Sequence, residues 1–248
     1  MHSTSCLLAA AFAVAALSPA FASDEADSTG WSGQITPYVW AAGIGGSLRP
    51  FTGAPTISFD KSFSEVLEDS DGAFFLTAFA RKDRFVVLAD FSYSASSKDG
   101  LVPPGLPATG ELKQMSFTLA AGYRAIAQED VTLDLLVGAR IWDVKTSITV
   151  GGGFIQESPG DTFADPIIAA RANFMLGPRW SAILYADVGG LGVGSEHTGQ
   201  ILGTFNYRAT DQLYISAGYR WLTVDYRNDG TRVDADMAGP LLGATWRF

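Results

Sequence analysis

In the stretch "PLLGATWRF", Leu242, Ala244, Trp246 and Phe248 fall on one face of an extended strand, and Gly243, Thr245 and Arg247 fall on the other. This period-two alternation recurs upstream. "TLDLLVGARIWD" sets Leu133, Leu135, Val137, Ala139 and Ile141 against Asp134, Leu136, Gly138, Arg140 and Trp142. "RWSAILYADVGG" sets Trp180, Ala182, Leu184, Ala186 and Val188 against Ser181, Ile183, Tyr185 and Asp187. "RFVVLADFSYS" and "KQMSFTLAAGYR" behave the same way, with Asp90, Ser92, Ser116 and Thr118 on the polar faces. A soluble sandwich also alternates, but its polar face meets bulk water and carries many Lys and Glu residues. Here the second face is small, aromatic or singly charged. After residue 22 no apolar run reaches the ~20 residues that a transmembrane helix needs. A chain of this kind enters a bilayer only as a closed barrel, in which neighbouring strands pair every backbone polar group.

Composition agrees with many strands joined by tight turns. Of 248 residues, 27 are Gly and 12% are aromatic, while 47% are hydrophobic and only 17% charged. Glycine is a poor helix former, and this pairing with aromatics suits an all-β chain. The balance of 17 basic against 26 acidic residues, net −9, contains no basic run and excludes a nucleic-acid footprint.

The first residues read as an export signal, with an apolar stretch from Cys6 to Leu17, a helix-breaking Pro19 and a small-x-small site at Ala20-Phe21-Ala22. The expected organisation is a signal peptide at 1–22, a polar leader at 23–30 and a barrel at 31–248. Cys6 is the only cysteine and lies within the signal, so the mature chain is expected to have no disulfide and no cysteine metal site.

Alternating segments predict an antiparallel up-and-down transmembrane barrel of about ten strands, with eight or twelve as alternatives. The segments are 31–44, 72–81, 84–96, 110–126, 130–148, 161–176, 179–193, 198–209, 212–227 and 231–248. Short turns at "RKDR", "AQED", "LGPR" and "ATDQ" alternate with connections that include the long ones 45–71, 97–109 and 149–160. Short periplasmic turns and longer outer loops are the barrel pattern, which puts both chain ends in the periplasm.

The words "TPYVWAAGIGG", "SFSEVL", "LADFSY", "GARIWD", "YADVGGLGVGS", "GYRWLTVDY" and "GPLLGATWRF" resemble those of proteobacterial outer-membrane β-barrel proteins that are mostly uncharacterised and loosely related to the OmpA-like barrels. The resemblance runs from about Trp31 to Phe248. It implies an outer-membrane location in contact with lipid, and a terminal aromatic signal, Trp246 and Phe248, read by the barrel-assembly machinery. It brings no established substrate or catalytic residues and leaves any extracellular partner or solute unnamed; no cofactor and no metal are expected.

A ten-stranded barrel has a backbone radius near ~10 Å, much of it occupied by inward side chains. The predicted lumen holds Asp90, Asp134, Asp165 and Asp187 with Arg124, Arg140, Arg171, Arg208 and Arg220. Buried charges need partners to offset desolvation, so a salt-bridged interior is expected: either a satisfied plug or a narrow polar path for ions or a small solute.

Other motifs carry less. "VGGLGVG" lacks the Lys-Ser/Thr of a phosphate loop, and strand glycines commonly mark bends. In "SFSEVLED", Ser62 is placed as an N-cap and Glu65 at N3 of a short helix, with Phe63, Val66 and Leu67 at helical spacing. That helix is expected either to plug or cover the barrel mouth or to anchor a loop. Glu65, Glu68, Asp69 and Asp71 lack calcium-loop spacing and read as a solvated charged loop. His197, beside Ser195 and Glu196, is the weak candidate for a catalytic centre, set near the outer rim where lipid A deacylases and omptin-type proteases act. Adjacent strand residues point to opposite faces, and neither the Asp-x-His word of an omptin nor a deacylase pattern is found, so the chain is expected not to be an enzyme.

Overall fold

The computed structural model describes residues 30–248 apart from 50–52, 54–55, 103–104, 151–154, 158–159 and 229. The predicted signal and nearly all of the polar leader lie outside these residues. The described elements are β1 (Ser32–Trp40), β2 (Gly43–Arg49), β3 (Ile57–Lys61), α1 (Phe63–Glu68), β4 (Ser70–Lys82), β5 (Phe85–Val102), β6 (Leu106–Ala127), β7 (Val131–Val150), β8 (Ile155–Glu157), β9 (Gly160–Met175), β10 (Trp180–Gly190), β11 (His197–Arg208), β12 (Leu213–Asn228) and β13 (Thr231–Arg247).

Ten strands form a closed antiparallel ring in the order β1-β4-β5-β6-β7-β9-β10-β11-β12-β13, sealed by pairing of β1 with β13. The seam joins Gln34 to Arg247 and Trp40 to Leu241, and ends in a reciprocal backbone pair between Gly33 and Phe248 at 2.8 and 3.0 Å. Both ends of the barrel sequence, and the four tight turns, lie at one rim, called here the terminal rim. The opposite rim is the distal one.

Alternation along each strand gives the wall two different faces. On β6 the outward side runs Tyr123, Ala121, Leu119, Phe117, Met115 and then changes to Lys113 and Glu111, an ion pair at 3.7 Å. On β7 it runs Leu133 to Ile141 and then changes to Asp143 and Lys145, paired at 3.0 Å. The apolar part of each strand is about nine residues, which at ~3.3 Å rise and ~40° tilt stands ~23 Å high, close to the apolar band of a membrane barrel. Its terminal border is aromatic, with Trp31 edge-on to Phe85 at 6.1 Å and Trp180 against Tyr207 at 5.0 Å.

The ten-stranded ring agrees with the sequence reading, whereas the distal connections differ from it. Residues 97–102 and 106–109, expected as part of a loop, extend β5 and β6 to 18 and 22 residues. Much of 149–160 likewise belongs to β7, β8 and β9. Because β6 is about twice as long as its apolar band, the β5–β6–β7 side rises well beyond that band. β10 and β11, at 11 and 12 residues, stop near its edge. β2 and β3, which lie mostly within the expected connection 45–71, pair with each other, and β2 is laddered onto the distal half of β13 from Arg232↔Arg49 to Ala238↔Gly43.

Tight coiling is needed to close so small a ring, and glycine permits it where strands crowd. A Cβ on Gly138 would lie 2.1 Å from the Leu119 carbonyl oxygen, and one on Gly122 would lie 1.9 Å from that of Leu135. No larger residue fits either position without moving the neighbouring strand.

Candidate functional site

The inward faces converge on a lumen crossed by side-chain contacts at several heights. Near mid-barrel Arg220 of β12 reaches to β5 on the far side of the ring, donating to Asp90 at 3.0 Å and to the Ser92 hydroxyl at 3.2 Å. It also donates to Gln200 at 2.7 Å and to the Tyr38 hydroxyl, while its guanidinium lies 4.7 Å from the Trp40 ring centre. Asp90 is completed by the Thr77 hydroxyl at 2.7 Å and the Tyr38 hydroxyl at 3.2 Å. Arg220 is 1% exposed and Asp90 5%, so this pair is withdrawn from solvent, with both terminal nitrogens of the guanidinium bonded.

Beside it, Arg140 grips Asp187 with two bonds of 3.1 and 2.6 Å, and donates further to Thr198 and Thr118. The bidentate geometry is the strongest form of such a pair. Arg140 faces Asp165 directly across the β7–β9 ladder, yet Asp165 pairs with no arginine among the described residues. Its carboxylate accepts instead from the Ser195 N–H at 2.6 Å and the Ser195 hydroxyl at 2.9 Å, holding the β10–β11 connection against the lumen. The expected all-ionic interior is therefore corrected at Asp165: two short hydrogen bonds take the place of a cation.

Lower in the lumen Asp134 takes two bonds from Arg124, at 2.7 and 3.1 Å, and one from Arg171 at 3.5 Å. The Arg171 guanidinium crosses to lie 4.1 Å from the ring centre of Phe79 on β4. Arg208, at the terminal end of β11, makes no ion pair among the described residues. Towards the distal end an aromatic layer completes the filling, with Phe163 of β9 stacked on Tyr226 of β12 at 4.2 Å and Trp142 behind it at 6.2 Å. Between the Arg220 and Arg171 levels a cavity of about 80 Å³ remains, bordered by Tyr38, Asp90, Arg171, Tyr185 and Gln200.

The remaining candidates do not join this network. Ser195 is buried and committed to Asp165, while Glu196 and His197 are exposed, so these three neighbours form no triad. α1 has the expected capping box, in which the Glu65 carboxylate accepts from the Ser62 N–H at 2.8 Å and the Ser62 hydroxyl at 2.7 Å. It does not plug the mouth: the helix has no buried residue, packs on β2 and β3, and leaves Phe63 and Leu67 exposed, with Val66 half-buried. The nearby acids are engaged separately. Asp69 bonds Lys61 at 2.7 Å and Lys98 at 3.2 Å, Asp71 accepts from Ser97, and no metal-ligating group is found among the described residues. Hydrogen bonds from Lys61 and Lys98 hold the Asp69 carboxyl below the usual carboxylate range, and those from Ser62 do the same for Glu65.

No family model and no curated protein matches this sequence. Among solved structures, the outer membrane protease OmpT from Escherichia coli is similar with a TM-score of 0.53 at 10% identity, covering 88% of this chain and 96% of that one. The fold is that of an outer-membrane β-barrel. Also similar are the transport unit of the autotransporter AIDA-I from Escherichia coli (TM-score 0.47, 11% identity, covering 92% and 94%) and the attachment invasion locus protein Ail of Yersinia pestis (0.37, 16%, covering 88% and 99%). At such identities the likeness concerns the path of the chain and not its chemistry.

Several lumen-forming groups escape the charge pattern that marks the arginines and aspartates. Tyr38, Trp40, Thr77, Thr118, Thr198 and Gln200 all bond or pack against those ions, and each lies on the inward parity of its strand. Parity is the signal that would have found them.

Proposed function

We propose that this chain is an outer-membrane protein of the proteobacterial barrel group its sequence resembles, non-enzymatic, and that it works as a rigid, filled barrel. Its role is structural or one of envelope interaction through the distal strands, with the terminal rim in the periplasm and the distal rim outside the cell. The observation that carries this reading is the set of contacts that cross the lumen: Arg220 to Asp90, Arg171 to Phe79, Phe163 to Tyr226, and Gln114 to the Met237 sulfur at 3.7 Å. Side chains that meet from opposite walls leave no wide aqueous path. The tall β5–β6–β7 side, which carries Lys98, Glu111, Lys113 and Lys145 beyond the apolar band, is the surface a partner would meet. Commitment of the Ser195 hydroxyl to Asp165, away from His197, supports the non-enzymatic part of the reading.

Single-channel recording of the refolded protein lacking residues 1–22, in a planar bilayer, tests it. A silent bilayer is expected, with folding verified by heat-dependent gel migration. Stable, salt-dependent conductance steps would refute the filled lumen and make the barrel a narrow channel.

A further inference from the structure

Beneath the Arg171–Phe79 contact the lumen opens into a second cavity of about 290 Å³ at the terminal rim, lined among others by Gln34, Arg124, Thr132, Arg171, Asn173 and Arg247. Three guanidinium groups border it, those of Arg124, Arg171 and Arg247, and Asp134 is bonded to the first two. Arg247 is held with its guanidinium 3.8 Å from the Tyr214 ring centre, a contact that fixes its plane but neutralises no charge.

The same cavity contains polar atoms that the fold leaves without partners. Thr132 Oγ1, Asn173 Oδ1 and Arg247 Nε are buried and form no hydrogen bond. Burying such atoms unpaired costs free energy, so a site that collects several in one basic cavity is built around something that satisfies them. All three side chains are able to donate: the threonine hydroxyl rotates, the asparagine amide presents its nitrogen when turned over, and the arginine Nε carries a proton. Donors and positive charge therefore converge on one space, whereas the mid-lumen Arg140 and Arg220 each hold a carboxylate of their own, Asp187 and Asp90.

From this convergence we infer that the terminal vestibule is a binding site for a small soluble oxyanion, a phosphate or carboxylate group, held by Arg247, Arg171, Asn173 and Thr132. Guanidinium groups recognise such anions with directed, charge-assisted bonds, and low local dielectric strengthens them. The site faces the terminal rim and lies below the side chains that fill the mid-lumen. It binds from that side whether or not the barrel conducts, so this inference stands apart from the proposed closed lumen.

The test is calorimetric titration of the full barrel, refolded in a non-ionic maltoside at constant ionic strength, with inorganic phosphate and separately with citrate. Saturable binding of either anion at one site per chain is expected. Arg247→Gln and Asn173→Leu should each weaken it about tenfold or more, as loss of a charge-assisted or buried hydrogen bond does. Arg179→Gln, an equal charge change at an exposed turn of the same end, should leave it unchanged. Heat-dependent migration checks folding of every variant, and Thr132→Val replaces Arg247→Gln if the latter fails to fold. Absence of saturable binding of both anions to the unmodified barrel overturns the inference. Binding insensitive to the vestibule substitutions, or equally sensitive to Arg179→Gln, overturns it too.

Discussion

Arg220 offers the sharpest test of how the barrel is held together. Replacing it with Met keeps an unbranched stem beside Trp40 but removes the cation from Asp90, and with it the donors to Ser92, Gln200 and Tyr38. Asp90 would keep only the hydroxyls of Thr77 and Tyr38. Stripping one partner from a buried ion pair costs about 3–5 kcal/mol. With a urea slope of about 2 kcal/mol per molar, the unfolding midpoint of Arg220→Met should fall by about 1.5–2.5 M. Asp90→Asn, which strands the guanidinium instead, should cost a similar amount. The double variant should cost little more than either single one, so that the coupling term approaches the cost of one single variant. Equilibrium urea unfolding in lipid vesicles, followed by tryptophan fluorescence and by gel migration, measures all three. Additivity within about 0.5 kcal/mol would show that the two ions are independent, and would refute the argument that transluminal pairing stiffens the barrel.

Two further outcomes follow from local geometry. Gly138→Ala should abolish or severely slow refolding, because its methyl would stand 2.1 Å from the Leu119 carbonyl oxygen, and normal yield of heat-shifted protein would contradict the crowding argument. In α1, the Glu65 and Asp69 carboxyls are held below their ordinary range, so the stability they lend is present above about pH 4 and lost as pH falls through their lowered values. Backbone chemical shifts at Val66 and Leu67 should thus stay helical from pH 7 to about 4 and move towards coil only below it; melting centred nearer pH 6 would exclude this cause.

The barrel was legible because lipid and lumen impose opposite demands on successive residues. In β7, Leu133 to Ile141 and Asp134 to Trp142 separate by parity alone, and the structure puts them on the two faces. The capping box of α1 was legible because Ser62 and Glu65 stand three apart. Parity stops being informative where both faces meet water. Residues 97–102 and 106–109 continue as strand although their composition reads as loop, since backbone pairing between them holds them. The β2–β3 pair escaped because "GIGGSLR" offers only Ile44 and Leu48 as apolar side chains, and β2 forms by pairing with β13, far away in sequence. Alternation also says which face a charge occupies but not the direction in which it reaches. Asp165 is the ladder neighbour of Arg140, yet the arginine bends past it to Asp187.

The seam between β1 and β13 has a consequence for the order of assembly. The other neighbouring strands of the ring are joined by at most about thirty residues, and many by tight turns, whereas Gln34 and Arg247 must find each other across nearly the whole chain. By loop-closure entropy that encounter costs about 3 kcal/mol more than closing a ten-residue hairpin. Hairpins therefore zip first and the cylinder shuts last, all at once. Until then the edges of β1 and β13 stand open, and the partly formed sheet offers both as templates for any other strand nearby.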